Sequence, residues 1–545
     1  MRNLYSTILL FSSIFMACSK NEAPDKPSNT GFALTSISNG NKVLGATSKG
    51  IELQPEFIIE FDENLSNQDL NSAIQILDAN KSTISSTVKL LEAGKKVSIS
   101  PTKALNPLSK YEVLVKNSLK SNANSSLKQE YNYSFNTAID PSDKFKRISQ
   151  DELMTLVQKQ TFNYFWTFAH PSSGMIRERN SSTETVTTGG TGFGLMAIVT
   201  GVHRNFISKS EGLERTKKIV SFLKTADRYH GALSHWYLGA TGKTQPFSEK
   251  DNGADIVETS LLFQGLLVAR QYFQDATLTA DINALYQEVE WNFFQNGQNV
   301  LFWHWSPNHN WDMNLKVQGW NESLITYVLA AGSSKFSIDK KVYDEGWARN
   351  GQMKNGKRFF EMELPLGPDQ GGPLFTAQYS FLGINPMGLK DVYADYEVQV
   401  KNQTLINRAY CISNPKGYYG YSSSSWGLTA GDIPNGYSAM SPSNDLGIIS
   451  PTAALTSMAF TPKESMEAME FFYYKLGDKL WGQYGFKDGF SLDEPWFAES
   501  YIAINQGPII IGIENHRSKL IWNLLMKSPE VKNGLKKLGF NSPNI

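Results

Sequence analysis

Residues 253–269, GADIVETSLLFQGLLVA, form an apolar stretch without the broad polar face of a surface helix. A helix that is apolar on nearly every side is buried in the centre of a domain. Five further stretches share this apolar, Gly- and Ala-containing character: 188–202, 320–333, 372–383, 449–460 and 495–506. The sequence therefore predicts a set of fully buried helices within one large domain.

More amphipathic helical stretches alternate with the buried ones. They cover residues 149–168, 211–230, 278–296, 391–410, 462–477 and 508–527, with a weaker pattern at 338–350. Helices with a single apolar face cover a core. The alternation of about six helices of each kind therefore predicts two concentric rings of helices. This is an all-α (α/α)6 toroid barrel over residues 148–545. The alternative is a generic α-rich domain or an α-solenoid, although no repeat of roughly 30–50 residues is visible.

Residues 31–140 have a different, strand-like character. Short stretches with partial alternation lie at 51–61, 73–77, 87–90, 96–101, 111–115 and 131–135. Such strands with turn residues between them predict an all-β sandwich. The phrase PTKALNPLSKY at 101–111 resembles bacterial Ig-like domains that precede exported enzymes. We expect a spacer or positioning role for this module, with sugar binding as the alternative.

The first 18 residues resemble a bacterial lipoprotein signal peptide. A basic start precedes an apolar stretch, residues 4–17, that is too short for an ordinary transmembrane helix. The stretch ends in FMAC, a lipobox-like sequence that predicts lipidation of Cys18, and residues 19–30 form a polar tether. We expect an exported outer-membrane lipoprotein, facing the periplasm or the surface, that meets the membrane only through its lipid anchor. The alternative is a plain secretory signal.

The composition excludes several classes of protein. Lys+Arg and Asp+Glu both number 52 in 545 residues, so no basic field exists and no nucleic-acid partner is expected. Two cysteines exclude a disulfide scaffold and any Cys-rich metal site. The sequence has no HExxH, P-loop or nucleotide-binding GxGxxG motif, so no metal and no other cofactor is expected. The Gly-rich segment 187–194 is interpreted as a helix-packing feature, and the oligomeric state stays open.

Three acids lie at the start of the first quoted stretch. Asp251, Asp255 and Glu258 are spaced four and three residues apart, which on a helix places them on one face with Leu262 and Leu266. The helix dipole explains one acid at an N-terminus. It does not explain three acids on the apolar side, because unpaired buried charge is costly. We therefore predict a catalytic group.

Glu322 lies in WNESLITYVLA, residues 320–330, within another buried stretch. In the first turn of an inner helix, the side chain of Glu322 would face a central cavity. Burial and neighbouring carboxylates would raise its pKa, as a general acid for glycoside cleavage requires. The alternative is a structural Glu paired with an Arg.

A third acidic cluster spans residues 488–500. Pro495 marks the first turn of a predicted helix. Glu499 would then lie one turn inside that helix, beside Trp496, and is a further catalytic candidate.

Aromatic residues are concentrated in the loops that lead into the buried helices, such as LFWHWSP at 301–307 and GYYGYSSSSW at 417–426. Flat rings stack on the C–H faces of sugars, so these loops indicate a glycan site, with core packing as the alternative. The predicted substrate-binding residues are Arg179, His235, Trp236, Trp320, Tyr379, Trp426 and Trp496.

Several separated motifs resemble the glycoamylase-like domain of bacterial proteins. They are WNE at 320–322, PLFTAQYSFLG at 373–383, WGLTA at 426–430, AINQGPII at 503–510 and IENHR at 513–517. The best-described enzymes of this type belong to glycoside hydrolase family 144 and act on β-1,2-glucans. The resemblance covers about 148–545 and implies an (α/α)6 barrel and an inverting mechanism. It also implies that Asp251, Asp255, Glu258 and Glu322 are important for activity, without assigning the general base.

These observations predict a glycoside hydrolase that cleaves a β-glucan, and the resemblance favours β-1,2-glucan or sophoro-oligosaccharides. Glu322 is the predicted proton donor, and one of the other acids, or Glu499, the base. The alternatives are a β-glucosidase, a lyase-like toroid enzyme acting on another polysaccharide, and a non-catalytic glycan-binding lipoprotein. A lyase would use Arg177, Arg179 and His235 on a uronate, which leaves the excess of carboxylates unexplained. Endo or exo action stays open.

Overall fold

The computed structural model describes residues 31–545, which form two compact units that divide between Thr137 and Ala138. The predicted lipobox with Cys18, and the tether, lie outside the described residues. Among residues 31–545, no helix is long and apolar enough to cross a membrane.

The first unit consists of two five-stranded β-sheets. Its strands are β1 Leu34–Asn39, β2 Lys42–Val43, β3 Thr47–Ile51, β4 Phe57–Phe61, β5 Ile74–Asp78, β6 Thr83–Ile84, β7 Ser86–Leu91, β8 Lys96–Pro101, β9 Lys110–Val115 and β10 Tyr131–Thr137, with one helical turn, α1 Leu70–Ala73. The strand orders are β2-β1-β4-β8-β7 and β3-β10-β9-β5-β6. Only β3 and β10 pair in parallel among these strands.

Alternation along the strands builds the core of this unit. In β4, Phe57, Ile59 and Phe61 are fully buried while the residues between them are partly exposed. The predicted strand 51–61 is wrong in its length, since β3 ends at Ile51 and β4 begins at Phe57. Pro55, between the two strands, has no N–H to offer to a sheet.

The second unit is helical. Its helices are α2 Gln150–Trp166, α3 Thr188–His203, α4 Lys209–Thr225, α5 Ile256–Phe273, α6 Ala276–Glu288, α7 Leu324–Gly332, α8 Lys340–Val342, α9 Tyr396–Ser413, α10 Pro451–Thr456, α11 Pro462–Glu470, α12 Gly477–Leu480, α13 Ala503–Ser518, α14 Leu520–Leu525 and α15 Pro529–Leu538. Shorter 3-10 or π turns are Trp291–Gln295, Tyr343–Trp347, Arg349–Gly351, Asp369–Gly371, Leu374–Ala377, Ser380–Leu382, Ser457–Ala459 and Phe471–Lys475.

Six buried segments of this unit contact one another in sequence. Helix α3 packs on α5, α5 on α7, α10 on α13, and α13 back on α3. The segment of residues 374–382 bridges the remaining gap through side-chain hydrogen bonds. The Ser380 hydroxyl accepts the N–H of Ile325 in α7, at 3.0 Å. The Gln378 amide donates to the carbonyl of Ala453 in α10, at 2.9 Å.

More exposed helices pack against this buried set. Helix α2 contacts α13 and α3, α4 contacts α3, α6 contacts α5, α15 contacts α7, and α11 contacts α10. Helix α9 lies against the segment of residues 374–377. Two of these outer helices begin at capping boxes, Ser149 with Glu152 and Ser208 with Glu211, which fix where α2 and α4 start.

Glycines allow the closest of the inner contacts. A Cβ atom on Gly192 of α3 would lie 2.1 Å from the carbonyl oxygen of Leu261 in α5. One on Gly265 of α5 would lie 2.0 Å from the carbonyl oxygen of Gly192. The two backbones therefore meet without a side chain between them, as expected for the Gly-rich segment 187–194.

Two predicted inner helices differ from the structure. Residues 372–383 form 3-10 turns rather than an α-helix. The predicted division into helices 495–506 and 508–527 is wrong, because α13 runs unbroken through Gly507 and Pro508. Gly507 packs against Phe193 of α3, where a Cβ would lie 2.5 Å from the Phe193 Cβ, so burial of α13 outweighs the local breakers.

The loops of the second unit also contain short strands, so the expectation of a purely α-helical region is wrong. They are β11 Thr185–Thr187, β12 Arg228–Tyr229, β13 Ala232–Leu233, β14 Trp236–Leu238, β15 Thr244–Gln245, β16 Ala254–Asp255, β17 Leu301–Phe302, β18 His304–Trp305, β19 Lys316–Val317, β20 Lys354–Phe359, β21 Met362–Leu366, β22 Ala430–Ile433, β23 Gly436–Ala439, β24 Trp481–Gly482, β25 Gly485–Phe486, β26 Phe490–Ser491 and β27 Trp496–Phe497. Several of these ribbons lead directly into buried helices and orient the side chains described next.

Candidate active site

The N-terminus of α5 carries two of the predicted acids. Asp255 caps the helix, and its Oδ1 accepts the N–H groups of Val257 and Glu258 at 3.0 and 2.9 Å. Glu258, in the first turn, reaches across to α3, where its Oε2 accepts the N–H of Gly189 at 2.6 Å. Both carboxylates are thereby fixed by backbone donors.

Asp251 joins these acids by a different route from the one predicted. The sequence spacing placed the three acids on one helical face, but α5 begins only at Ile256. Asp251 precedes the helix in a turn, in which the Phe247 N–H donates to the Asp251 carbonyl and the Asp251 N–H to the Ser248 carbonyl. The turn, rather than the helical period, brings Asp251 to the cluster.

Two histidines complete this cluster. Strand pairing of β16 with β18 places His304 directly opposite Asp255. The His304 Nε2 lies 3.0 Å from Asp251 Oδ2 and 3.4 Å from Asp255 Oδ2. The His235 Nδ1 lies 3.0 Å from Asp255 Oδ2, and the Trp303 indole N–H donates to that same oxygen at 3.3 Å. We refer to Asp251, Asp255, His235 and His304 as the Asp–His cluster.

The charges of the Asp–His cluster stabilise one another. Burial alone would lower both histidine pKa values, but the facing carboxylates raise the pKa of His235 to about 9 and of His304 to about 10. Burial would raise the pKa of Asp255, yet hydrogen bonds from the two histidines hold it well below its ordinary value. At neutral pH both histidines are therefore protonated and face the ionised Asp255.

The two glutamates face a cavity of about 510 Å³. Burial raises the pKa of Glu258, opposed in part by the charge of His235. Burial also raises the pKa of Glu322, to about 7, with repulsion from Glu258 and Asp255 adding to the effect. Glu322 lies in the turn before α7, not in the helix, and its carbonyl accepts a hydrogen bond from Ser380.

Aromatic and apolar rings line the rest of this cavity, which we call the catalytic cavity. The ring-bearing lining residues are His235, Trp236, Phe247, Trp303, Phe375, Tyr379 and Tyr437. Phe247 is half exposed, and its ring stacks on His235 with centroids 4.2 Å apart. Such a lining suits the alternating apolar and hydroxyl surfaces of a sugar.

Arg179 occupies one wall of the catalytic cavity. Its guanidinium donates to Glu178 at 2.8 Å and to Asp432 at 3.2 Å. Behind this pair, buried Asp488 accepts the Asp432 N–H and the amide of Asn505, both at 2.7 Å. Burial raises the pKa of Asp488 to about 6, which makes it a second acid that can titrate near neutrality.

Four of the predicted binding residues line the catalytic cavity: Arg179, His235, Trp236 and Tyr379. Two others are structural. Trp320 is buried, and its indole N–H donates to Gln403 at 2.8 Å. Trp426 is completely buried in the core. The prediction of stacking faces on these two is therefore wrong, because their rings pack against protein.

Glu499 and Trp496 also differ from expectation. Residues 496–497 form β27 and the following helix begins only at Ala503, so Glu499 does not lie inside a helix. The Glu499 side chain is 84% exposed and pairs with Lys487 at 2.8 Å. Both residues line a separate, neighbouring cavity. A fully solvated, Lys-paired carboxylate outside the catalytic cavity cannot serve as its general base.

Sequence reasoning did not select His304, Trp303, Phe247, Tyr437 or Asp488 as site residues. The signal for His304 and Trp303 was present in the aromatic loop at 301–307. Their partners depend on the pairing of β16 with β18, which joins residues about 50 positions apart. Nothing in the local sequence reveals that register.

Three residues of the Asp–His cluster could also hold a cation. One ring nitrogen of His235 and one oxygen each of Asp251 and Asp255 lie within 4.8 Å of one another. Imidazole and carboxylate are suitable ligands for a divalent metal. In the described residues these atoms instead face His304 and each other, so that the two imidazolium groups are the cations beside Asp255.

We expect His304→Gln to destabilise the second unit by about 3 kcal/mol at neutral pH, because it removes one of the two imidazolium groups that face buried Asp251 and Asp255. The stabilisation from a histidine whose pKa rises on folding is complete below about 6.5 and disappears as pH rises through about 10. The deficit of the variant should therefore shrink between those pH values. Urea unfolding at several pH values measures it.

His230→Gln is the matched control for that measurement. His230 also faces a carboxylate, Glu290, at 2.8 Å, but the pair is substantially exposed. Its loss should cost less than about 1 kcal/mol. A His304→Gln deficit no larger than that of the control, or one that does not change with pH, would contradict the assigned ion pairs.

Comparison with known proteins relates both units to described families. A family profile described as "Putative glucoamylase" matches residues 314–529, and one described as "Bacterial Ig-like domain" matches residues 34–137. A third profile, of a protein family of unknown function, matches residues 157–273.

The curated relative is an exo β-1,2-glucooligosaccharide sophorohydrolase (non-reducing end) from Parabacteroides distasonis, 41% identical over 419 residues. The match covers 72% of this chain, which spans only 58% of the length of that relative.

Solved structures resemble the second unit over their whole length. A crystal structure titled "putative glucoamylase", from Bacteroides uniformis, has 55% identity and a TM-score of 0.72, covering 74% of this chain and 100% of that one. An endo-β-1,2-glucanase from Chitinophaga pinensis, solved with sophorotriose and glucose, has 50% identity and a TM-score of 0.72, covering 73% of this chain and 100% of that one. With such identity over complete solved chains, and with the motifs at 320–322 and 503–517 in place, the chain belongs to the glycoamylase-like family of the glycoside hydrolase family 144 type, preceded by a bacterial Ig-like domain.

Proposed function

We propose that this protein is a glycoside hydrolase that cleaves β-1,2-glucan or sophoro-oligosaccharides. The observation that carries the proposal is the pairing of two buried glutamates, Glu258 and Glu322, on one aromatic-lined cavity. Hydrolysis of a glycosidic bond requires two carboxyl groups with different protonation. The linkage is supported by the β-1,2-glucan-degrading relatives of known activity.

The architecture we propose for the second unit is the (α/α)6 toroid. Its support is the closed series of contacts between six buried segments, each covered by an outer helix or turn. In this arrangement the N-terminal ends of α3, α5 and α7 lie around the catalytic cavity, which is lined by Thr187, Glu258 and Glu322. The Ig-like unit is proposed as a spacer.

In the proposed reaction Glu322 is the general acid. With a pKa near 7 it retains its proton at the pH where an ordinary glutamate has lost it. It donates this proton to the glycosidic oxygen as the bond from that oxygen to the anomeric carbon breaks. The leaving sugar departs as a neutral alcohol, so no alkoxide has to form.

Glu258 is the proposed general base. The Gly189 N–H fixes its Oε2, and the carboxylate shares the catalytic cavity with Glu322. It removes a proton from the water whose oxygen attacks the anomeric carbon on the face opposite the leaving group. The charge of His235 favours the ionised form of Glu258 that this step requires.

The Asp–His cluster is proposed to position these groups rather than to exchange protons with substrate. Asp255 caps α5, which sets the first turn where Glu258 lies. His235 joins the cluster to the cavity, since it contacts Asp255 on one side and the Phe247 ring on the other. Removal of a member should therefore affect the rate through the orientation of Glu258.

We expect Glu322→Gln to lower turnover of β-1,2-glucan by at least about a hundredfold, because the amide keeps the shape but cannot donate a proton. In the unaltered enzyme, kcat/KM should fall as pH rises through about 7, where Glu322 ionises. The variant should lose that decline. Initial rates across pH and calorimetric binding of an oligosaccharide measure both effects.

Glu214→Gln is the control for Glu322→Gln, because Glu214 is exposed on the outer helix α4 and lines neither cavity. Its turnover should stay within about twofold of the unaltered enzyme. A Glu322→Gln rate close to that of the control would remove Glu322 from the role of proton donor.

The products should first appear with inverted configuration, α from a β-linked glucan. Direct attack of a water on the side opposite the leaving group requires this result, with the two carboxyl groups roughly 6.5–9.5 Å apart. NMR spectra of products recorded within the first turnovers distinguish the anomers. Initial β-products would demand a covalent intermediate and replace the scheme with a retaining one.

We further propose that Cys18 is lipidated and anchors the exported protein to the outer membrane. The support is the lipobox-like FMAC with its preceding apolar stretch and following polar tether. Two or more acyl chains give stable membrane attachment. Cys18→Ser should therefore shift the protein from the detergent phase to the aqueous phase in a detergent-partition assay. Unchanged partition would contradict the anchor.

A further inference from the structure

A second cavity, of about 640 Å³, adjoins the catalytic cavity. Arg179 and Tyr437 line both, so these two side chains form the partition between them. The second cavity is walled by residues 179–181, the ribbon of β22 and β23, and residues 496–500. No acid assigned to the reaction lines it, so chemistry at the glycosidic bond does not explain it.

The wall of the second cavity carries rings at two places. Phe497 of β27 is held by its neighbour across the ribbon, Phe490, with ring centroids 6.0 Å apart. Adjacent residues of a strand point to opposite sides, which turns Trp496 away from this packing. Trp496 stays partly exposed at the wall, and Tyr437 of β23 is 50% exposed. Two accessible flat rings suit a sugar ring.

The polar part of the wall is rigid before anything binds. Arg179 is held on both sides, by Glu178 and by Asp432. Asp432 also accepts a hydrogen bond from Ser500. The Asn180 side chain donates to the Glu499 carbonyl at 3.1 Å and accepts the Tyr501 N–H at 2.9 Å. A preorganised surface of this kind loses little entropy on binding a ligand.

We propose that this second cavity is a distal subsite that binds β-1,2-linked glucosyl units of a chain whose scissile bond lies in the catalytic cavity. The inference rests on the proposed function and adds the position at which the rest of the polymer binds. Because Arg179 and Tyr437 border both cavities, a single chain that passes over these two side chains would occupy both cavities. The subsite then favours long substrates over the shortest ones.

Trp496→Ala tests the subsite by removing its stacking surface. We expect kcat/KM for long β-1,2-glucan to fall about tenfold, the usual effect of truncating a buried aromatic contact. The value for the shortest sophoro-oligosaccharide cleaved should stay within about twofold, because that substrate leaves the second cavity empty. Trp496→Tyr, which retains a flat ring, should recover most of the loss.

Ser181→Leu tests the same subsite without touching an aromatic residue. Ser181 is exposed and lines the second cavity, so added bulk should fill it and reproduce the selective loss on long glucan. Thr183→Leu is the matched control, because Thr183 is equally exposed two residues away and does not line either cavity. Phe247→Ala, in the catalytic cavity, should reduce cleavage of short and long substrates alike.

The outcomes separate the subsite from the proposed function. If the unaltered protein cleaves no β-1,2-linked substrate, the proposed function fails and the subsite fails with it. If it does cleave them and Ser181→Leu behaves like Thr183→Leu on long glucan, only the subsite is overturned. This second comparison remains decisive even if Trp496→Ala does not fold. Losses that are equal on long and short substrates would likewise overturn the subsite.

Discussion

The contact between α3 and α5 is the constraint on which the site depends. The two helices meet backbone to backbone at Gly192 and Gly265, and a methyl group at either position would collide with main-chain oxygen. This closeness brings the N-terminus of α3 within reach of Glu258, which bonds to Gly189. A Cβ on Gly189 would lie 2.7 Å from that carboxylate oxygen. The glycines of segment 187–194 therefore set the position of the proposed catalytic carboxylate as well as the packing of a helix.

The electrostatics of the site follow from how its acids are divided. Asp255 is matched by two imidazolium groups, whose hydrogen bonds keep it ionised. Glu322 is surrounded differently, because burial and the nearby carboxylates Glu258 and Asp255 raise its pKa. The same end of the helical unit can thus keep one acid charged and another protonated at one pH. Different pKa values are what acid and base roles require.

Sequence alone predicted the elements with long, strongly periodic patterns. The inner stretch at 253–269 and the acids within it are found where expected, because apolar periodicity specifies burial. The sequence alone could not identify His304 as the partner of Asp255, because the β16–β18 register is a tertiary contact. It also misjudged residues 495–506, where Pro495 suggested a helix start but the chain forms a ribbon. Proline fits the first turn of a helix and the end of a strand equally well.

The aromatic residues show why composition can predict that a sugar site exists but not which residues form it. Trp236 and Trp303 line the catalytic cavity, whereas Trp320 and Trp426 are buried in the core, although all four lie outside the helices. The difference comes from the helix that each ring meets. The Trp320 indole is held by Gln403 of α9, an outer helix, and so turns away from the cavity. Tertiary contacts of this kind decide which rings of the connecting segments line the cavity and which enter the core, and the local sequence does not reveal them.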